Sequence, residues 1–117
     1  MIILMYHRLS DDSKKDNQKR KSPYILGLSN FKYQVEYMYL HKYIIHSLSD
    51  FLTNLIEIDR SKSLVITFDD GHISSYSVAF PILCNYKFKA TFFIITERIG
   101  EKEYLSWRQI REKLLEI

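Results

Sequence analysis

Apolar positions along the chain follow two alternating rhythms. Largely apolar runs, rich in β-branched and aromatic residues, occur at Ile2–Tyr6, Leu64–Phe68 and Ala90–Ile95, with a shorter one at Tyr43–Ile45. Runs of this length, without polar alternation, suit strands buried on both faces, as in parallel sheets. Between them the apolar residues recur three and four apart. Phe31, Val35, Met38 and Tyr39 form one such stripe, with Ser29 or Asn30 expected as the cap and an end near His41. Phe51, Leu52, Leu55 and Ile56 form a second stripe behind an expected cap at Ser49. Tyr76, Ala79, Phe80 and Leu83 form a third, and Ile110, Leu114 and Ile117 a fourth.

Two local signals sharpen the helix boundaries. Pro81 is tolerated only in a first turn, so the regular part of the third helix is expected to begin near Phe80. Ser106 and Gln109 have capping-box spacing, flanked by Leu105 and Ile110 at the staple positions. From Ser10 to Ser22 the chain is polar and reads as a solvated loop. Asp11 and Asp12 fall in that loop, where no strand or helix presents them as a metal site.

The order is strand then helix, four times over. That alternation argues for one α/β domain, residues 1–117, with parallel strands and right-handed crossovers. Half of an α/β barrel and a small open doubly wound sheet both satisfy it. The last stripe runs to Ile117 without a glycine, asparagine or proline stop, so the chain is expected to be cut short.

Composition narrows the function classes. A net charge of +3 is too small to argue for nucleic acid as a partner. The single cysteine, Cys84, excludes an internal disulfide and cysteine-rich zinc sites. Its apolar helical setting predicts a buried, inert thiol. Ile2–Tyr6 is too short for a signal or a membrane span and is interrupted at once by His7 and Arg8. Cytoplasm is therefore the default expectation.

The chemistry concentrates at Leu64–His72, where an apolar strand ends in Asp69, Asp70 and Gly71. Asp-Asp-Gly alone is an ordinary turn; the long buried strand leading into it favours function. Adjacent strand residues point to opposite faces, so the two carboxylates need not share one direction. Gly71 allows a sharp turn with positive φ. Neighbouring carboxylates call for a cation or hydrogen-bond donors, and one arrangement has one acid on a divalent metal while the other takes a proton from water. Zinc would also want imidazoles, yet no two of His7, His41, His46 and His72 have ligand spacing. His41 and His46 lie at element ends and read as surface or capping residues. A Walker B reading fails because Gly27, Gly71 and Gly100 build no phosphate loop. A receiver-like domain fails because the first strand ends in Tyr6-His7-Arg8 instead of acids.

The segment Thr67-Phe68-Asp69-Asp70-Gly71 resembles the first motif of the polysaccharide deacetylases with a NodB homology domain, carbohydrate esterase family 4. Leu4–Arg8, Ala90–Phe93 and Tyr104–Ile110 are similar to further segments of that family. The resemblance implies the N-terminal half of a distorted (β/α) barrel that removes acetyl groups from an N-acetylated glycan. It implies Asp69 as catalytic base and Asp70 as the carboxylate ligand of a divalent metal, usually zinc. The family's second motif, His-Ser/Thr-x-x-His, carries the imidazole ligands and should begin just after Ile117. The later arginine, aspartate, tryptophan and leucine–histidine motifs are also absent from these residues. The chain alone is thus expected to be inactive and to self-associate through an open sheet edge. Its rival reading is a non-catalytic remnant or glycan-binding subunit. The resemblance also admits the cell surface as the site of a full-length form.

Overall fold

The structure is a computed structural model that describes residues 2–11, 23–54 and 59–112. Its hub is the strand β5, Ser63–Phe68, in which every residue is buried. The strand β1, Ile2–Tyr6, pairs with it in parallel along one edge, from Ile2 opposite Leu64 to Tyr6 opposite Phe68. On the other edge, β4 (Ile44–His46) pairs with the first half of β5. The short β6 (Thr91–Phe92) pairs with its end. Between the strands lie α1 (Leu28–Leu40), α2 (Leu48–Thr53) and α3 (Phe80–Asn85), with α4 (Trp107–Glu112) following β6. Parallel strands alternating with helices are what the apolar rhythm predicts. No helix among the described residues is long and apolar enough to cross a membrane.

The core follows the period-two alternation of β5. Leu64, Ile66 and Phe68 join Tyr6, Phe31, Val35, Met38 and Leu83 in the main buried cluster. The Phe68 ring stacks on Tyr6 at 5.3 Å and on Phe92 at 5.2 Å. A second cluster, centred on Leu105 and Ile110, packs against Tyr76, Phe80 and Ile94. The capping box that leads into it forms as expected: the Ser106 amide donates to Gln109 Oε1 at 2.9 Å, and the Gln109 amide to Ser106 Oγ at 3.2 Å.

Several expectations are corrected. The strand β1 is not buried on both faces: Ile2, Ile3 and Met5 are 47%, 49% and 63% exposed. It is an edge strand, and among the described residues only β5 pairs with it. Likewise β6 spans two residues, and Phe93 and Ile95 lie exposed. The polar region after β1 opens and closes with two short parallel strands, β2 (Arg8–Ser10) and β3 (Ile25–Gly27), which the apolar rhythm is too brief to reveal. Because β3 runs straight into α1, the cap there is Gly27, and Ser29 and Asn30 already lie inside the helix. Tyr39 is exposed, although Phe31, Val35 and Met38 are buried as expected.

For α2 the cap is Ser47, whose Oγ accepts from the Asp50 amide at 3.1 Å, so Ser49 lies within the helix. Phe51 is buried but Leu52 is exposed. Leu55, Ile56, Asp12, Leu114 and Ile117 lie outside the described residues. The strand before this helix is shifted by one residue to Ile44–His46. Pro81 behaves as expected, in the first turn of α3, reached through a π-helical turn at Ser75–Ala79. Cys84 is exposed and not buried, because Ile82 and Leu83 occupy the inward positions of this short helix.

Candidate acidic site at the end of the central strand

The β1–β5 ladder continues one step past both strands. The Asp69 amide donates to the Tyr6 carbonyl at 2.9 Å. With Tyr6 opposite Phe68, the next residues are His7 and Asp69, on the face that alternation gives to Ile3, Met5, Val65 and Thr67. Their side chains meet there: His7 Nε2 lies 3.8 Å from Asp69 Oδ2, with 20% and 26% of the side chains exposed. The His7 ring also meets Tyr24 edge-on, at 4.9 Å between centroids.

The chain then turns sharply through two left-handed residues, Asp70 at φ 75° and Gly71 at φ 70°. Glycine is required at the second position on two counts. A side chain is strained at that φ, and a Cβ there would sit 3.2 Å from Ile94 Cγ2. Asp70 takes the same conformation as an L-residue, which costs about 1–2 kcal/mol. The turn is held from outside, since the Leu105 amide donates to the Gly71 carbonyl and the Ile73 amide to that of Glu103. His72 and Tyr104 add an antiparallel bridge.

Asp70 opens on two hollows. One, about 380 Å³, is lined by His7, Arg8, Tyr24, Ile25 and Asp70. The other, about 430 Å³, brings Asp69 and Asp70 against Ile3, Met5, Leu48 and Phe93. Asp70 therefore forms a ridge between a polar, aromatic hollow and an apolar one, with Asp69 on the apolar side.

The remaining histidines have local roles. His72 Nδ1 accepts from the Ser74 amide at 3.1 Å and lies 2.8 Å from Ser74 Oγ, which itself accepts from the Leu9 amide. Burial, and then the Arg8 charge, push the His72 pKa below the usual imidazole value. His41 ends α1, with Nδ1 2.9 Å from the Tyr37 carbonyl and its ring stacked on Tyr37, in keeping with a capping residue. His46 is half-buried on β4, with Nε2 3.0 Å from Ser63 Oγ.

The structure thus brings Asp69 and Asp70 together and adds His7, which sequence reasoning named without placing. The signal was available: the imidazole is two residues on from Met5 along a strand whose alternate positions face the acids. A zinc ion does not fit these residues as they stand. Asp70 offers an oxygen donor, but no group of three or more His, Cys, Asp or Glu side chains among the described residues could hold a metal.

Comparison with known proteins gives a consistent picture. The family model for polysaccharide deacetylase matches residues 57–116. The putative polysaccharide deacetylase YxkH of Bacillus subtilis is 30% identical over 114 residues, covering 94% of this chain and 37% of that protein. The poly-β-1,6-N-acetyl-D-glucosamine N-deacetylase of Staphylococcus aureus is 31% identical over 122 residues, covering 97% of this chain and 42% of that one. Among solved structures, the Streptococcus pyogenes deacetylase PplD in complex with acetate superposes with a TM-score of 0.83 at 30% identity, over 96% of this chain and 50% of that one. The chain spans half or less of the length of these relatives. The architecture is that of a partial (β/α) barrel, one of the two that the sequence leaves open.

Proposed function

The chain belongs to the polysaccharide deacetylase family, and from that premise we propose that it carries the carboxylate pair of a site that hydrolyses the N-acetyl amide of a glycan. The observation that supports the reading is the ridge at the end of β5, with Asp69 beside His7 and Asp70 held in a strained turn between two hollows. Strain retained at an acid on a cavity rim points to a role for that acid.

In this reading Asp69 is the general base. Its backbone is fixed by the bond to Tyr6, and its carboxylate takes a proton from the water whose oxygen attacks the acetyl carbonyl carbon. The amide C–N bond then breaks as the proton taken from water passes to the leaving nitrogen, leaving acetate and a free amine on the sugar. Asp70 is the carboxylate donor to a divalent metal, zinc in the first instance. The described residues supply no further pair of donors, so no step is derived through the ion, and the residues described here are proposed to be inactive by themselves.

Acetate release tests this. The 117-residue chain, with zinc and N-acetylglucosamine oligomers, is expected to release none. A form joined to the remaining half of a relative is expected to release acetate in a manner abolished by Asp69→Asn. Activity that survives Asp69→Asn would refute the role given to Asp69. A second reading is a glycan-binding unit without catalysis, for which metal-independent glycan affinity and an inactive joined form would be the evidence. We also propose that the chain self-associates through β1, which pairs on one edge only among the described residues and exposes Ile2, Ile3 and Met5. Sedimentation velocity should show oligomers that Met5→Lys disperses; a wild-type monomer would refute it.

A further inference from the structure

The buried stripe of α1 is polar at one position. Phe31, Val35 and Met38 are buried, and Gln34 lies on the same side of the helix, three residues after Phe31 and four before Met38. A polar group on a core-facing stripe needs a partner. Gln34 has one in β1, where the Tyr6 phenol donates to Gln34 Oε1 at 2.6 Å. Within β1, Tyr6 alone is buried, with its ring stacked on Phe68 and edge-on to Phe31. The end of β1 nearest the acids is therefore tied to the core chiefly through Tyr6, and Gln34 closes that tie from α1. Burial pushes the Tyr6 pKa up to about 12, so the phenol remains a donor across the neutral range.

The same residue holds Asp69. The Tyr6 carbonyl accepts from the Asp69 amide at 2.9 Å, and the next residue, His7, brings Nε2 to 3.8 Å from Asp69 Oδ2. Ring, carbonyl and imidazole hang from one short stretch of backbone, so a shift of the ring moves all three. We propose that Gln34 is a positioning residue: by holding the Tyr6 phenol it fixes the end of β1 and so sets the Asp69 carboxylate in place. The proposal rests on the reading of Asp69 as general base. Gln34 touches no reacting atom and acts from the helix side of the sheet, through Tyr6. Misplacing a reacting group by about 1 Å costs on the order of 100-fold in rate, so a bond behind the site has leverage on it.

Hydrogen exchange at single backbone amides of the 117-residue chain tests the tie without turnover. Mass spectrometry with electron-transfer fragmentation reads it and tolerates oligomers. Gln34→Leu puts an apolar residue in the stripe and removes the acceptor, while Gln34→Glu keeps an acceptor of the same reach. In Gln34→Leu the Asp69 amide is expected to exchange about tenfold faster. Two amides serve as controls: Phe93, bonded to the Phe68 carbonyl on the other edge of β5, and Ile44, bonded to the Lys62 carbonyl at its far end. Both should stay within about twofold of wild type, whereas a loss of overall stability moves all three together. Gln34→Glu should restore the Asp69 rate. An Asp69 rate unchanged in Gln34→Leu, one that rises in step with Phe93 and Ile44, or one that Gln34→Glu leaves fast would each overturn the proposal. In the form joined to the remaining half of a relative, Gln34→Leu should lower kcat about tenfold at an unchanged KM, and a wild-type kcat would also overturn it. A joined form that is inactive with Gln34 in place refutes the role of Asp69 instead, and the exchange rates still decide the tie.

Discussion

Asp70 offers a way to weigh the backbone strain at the ridge separately from the charge. Asp70→Gly and Asp70→Ala both delete the carboxylate, so any electrostatic change is common to the two. They differ at φ 75°. Alanine in that region carries the full L-residue cost, about 1–2 kcal/mol. Glycine adopts it freely but gains unfolded-state entropy worth about 0.4–1 kcal/mol. Subtracting the second from the first leaves Asp70→Gly more stable than Asp70→Ala by about 1 kcal/mol. In a chain of this size that corresponds to roughly 4 °C in melting temperature. Urea unfolding measures it as a shift in midpoint at unchanged slope. If Asp70→Ala proves as stable as Asp70→Gly, the turn is not left-handed in solution and the argument from strain to function fails. The turn keeps this conformation through its bonds to the segment before α4, from Leu105 to Gly71 and from Ile73 to Glu103.

Two other outcomes follow from the core. Phe68→Ala removes a fully buried ring that contacts Tyr6, Phe31 and Phe92, and should cost about 3–5 kcal/mol in chemical denaturation; a loss under about 1 kcal/mol would contradict the packing described. Burial pushes the Tyr6 phenol up to about 12 from 10.0. The folded state therefore holds that proton more tightly than the unfolded one, and the resulting stability is complete below pH 10.0 and lost as pH rises towards about 12. Tyr6→Phe should remove this alkaline loss, at a cost near 1 kcal/mol at neutral pH for the bond from Tyr6 Oη to Gln34 Oε1. Melting curves between pH 8 and 12, read with phenolate absorbance, check both parts.

What could be read from the sequence divides along a physical line. The strand β5 was legible because its surroundings are apolar on both sides, and so were the buried stripe of α1 and the capping box at Ser106. Each is a signal carried by residues a few positions apart. The burial of β1 and β6 was misjudged because an apolar run reports what a strand can bury, not what covers it. Ile3, Met5 and Phe93 look like core residues by composition and are exposed by position. The caps of α1 and α2 moved because the preceding strands deliver the chain earlier than the side-chain signals suggest. The acids were found through Asp69-Asp70-Gly71, but His7 and Tyr24 reach them only through pairing between distant strands. No periodicity in one segment encodes that.

The parallel register of β1 against β5 has a further consequence, for the kinds of sequence change this chain can absorb. Odd positions of β1, Ile3 and Met5, lead to His7 at the acids; even positions, Leu4 and Tyr6, belong to the core. Site and core are thus written in alternate letters of one strand. Substitutions can edit one set without touching the other. Insertion or deletion of a single residue between Ile3 and His7 breaks this phase: an insertion brings Tyr6 to Asp69, and a deletion brings Arg8 there and puts the imidazole into the core. Losses or gains of two residues keep the phase. Among descendants of this sequence, length changes in β1 should therefore come in pairs, even where individual side chains have drifted freely.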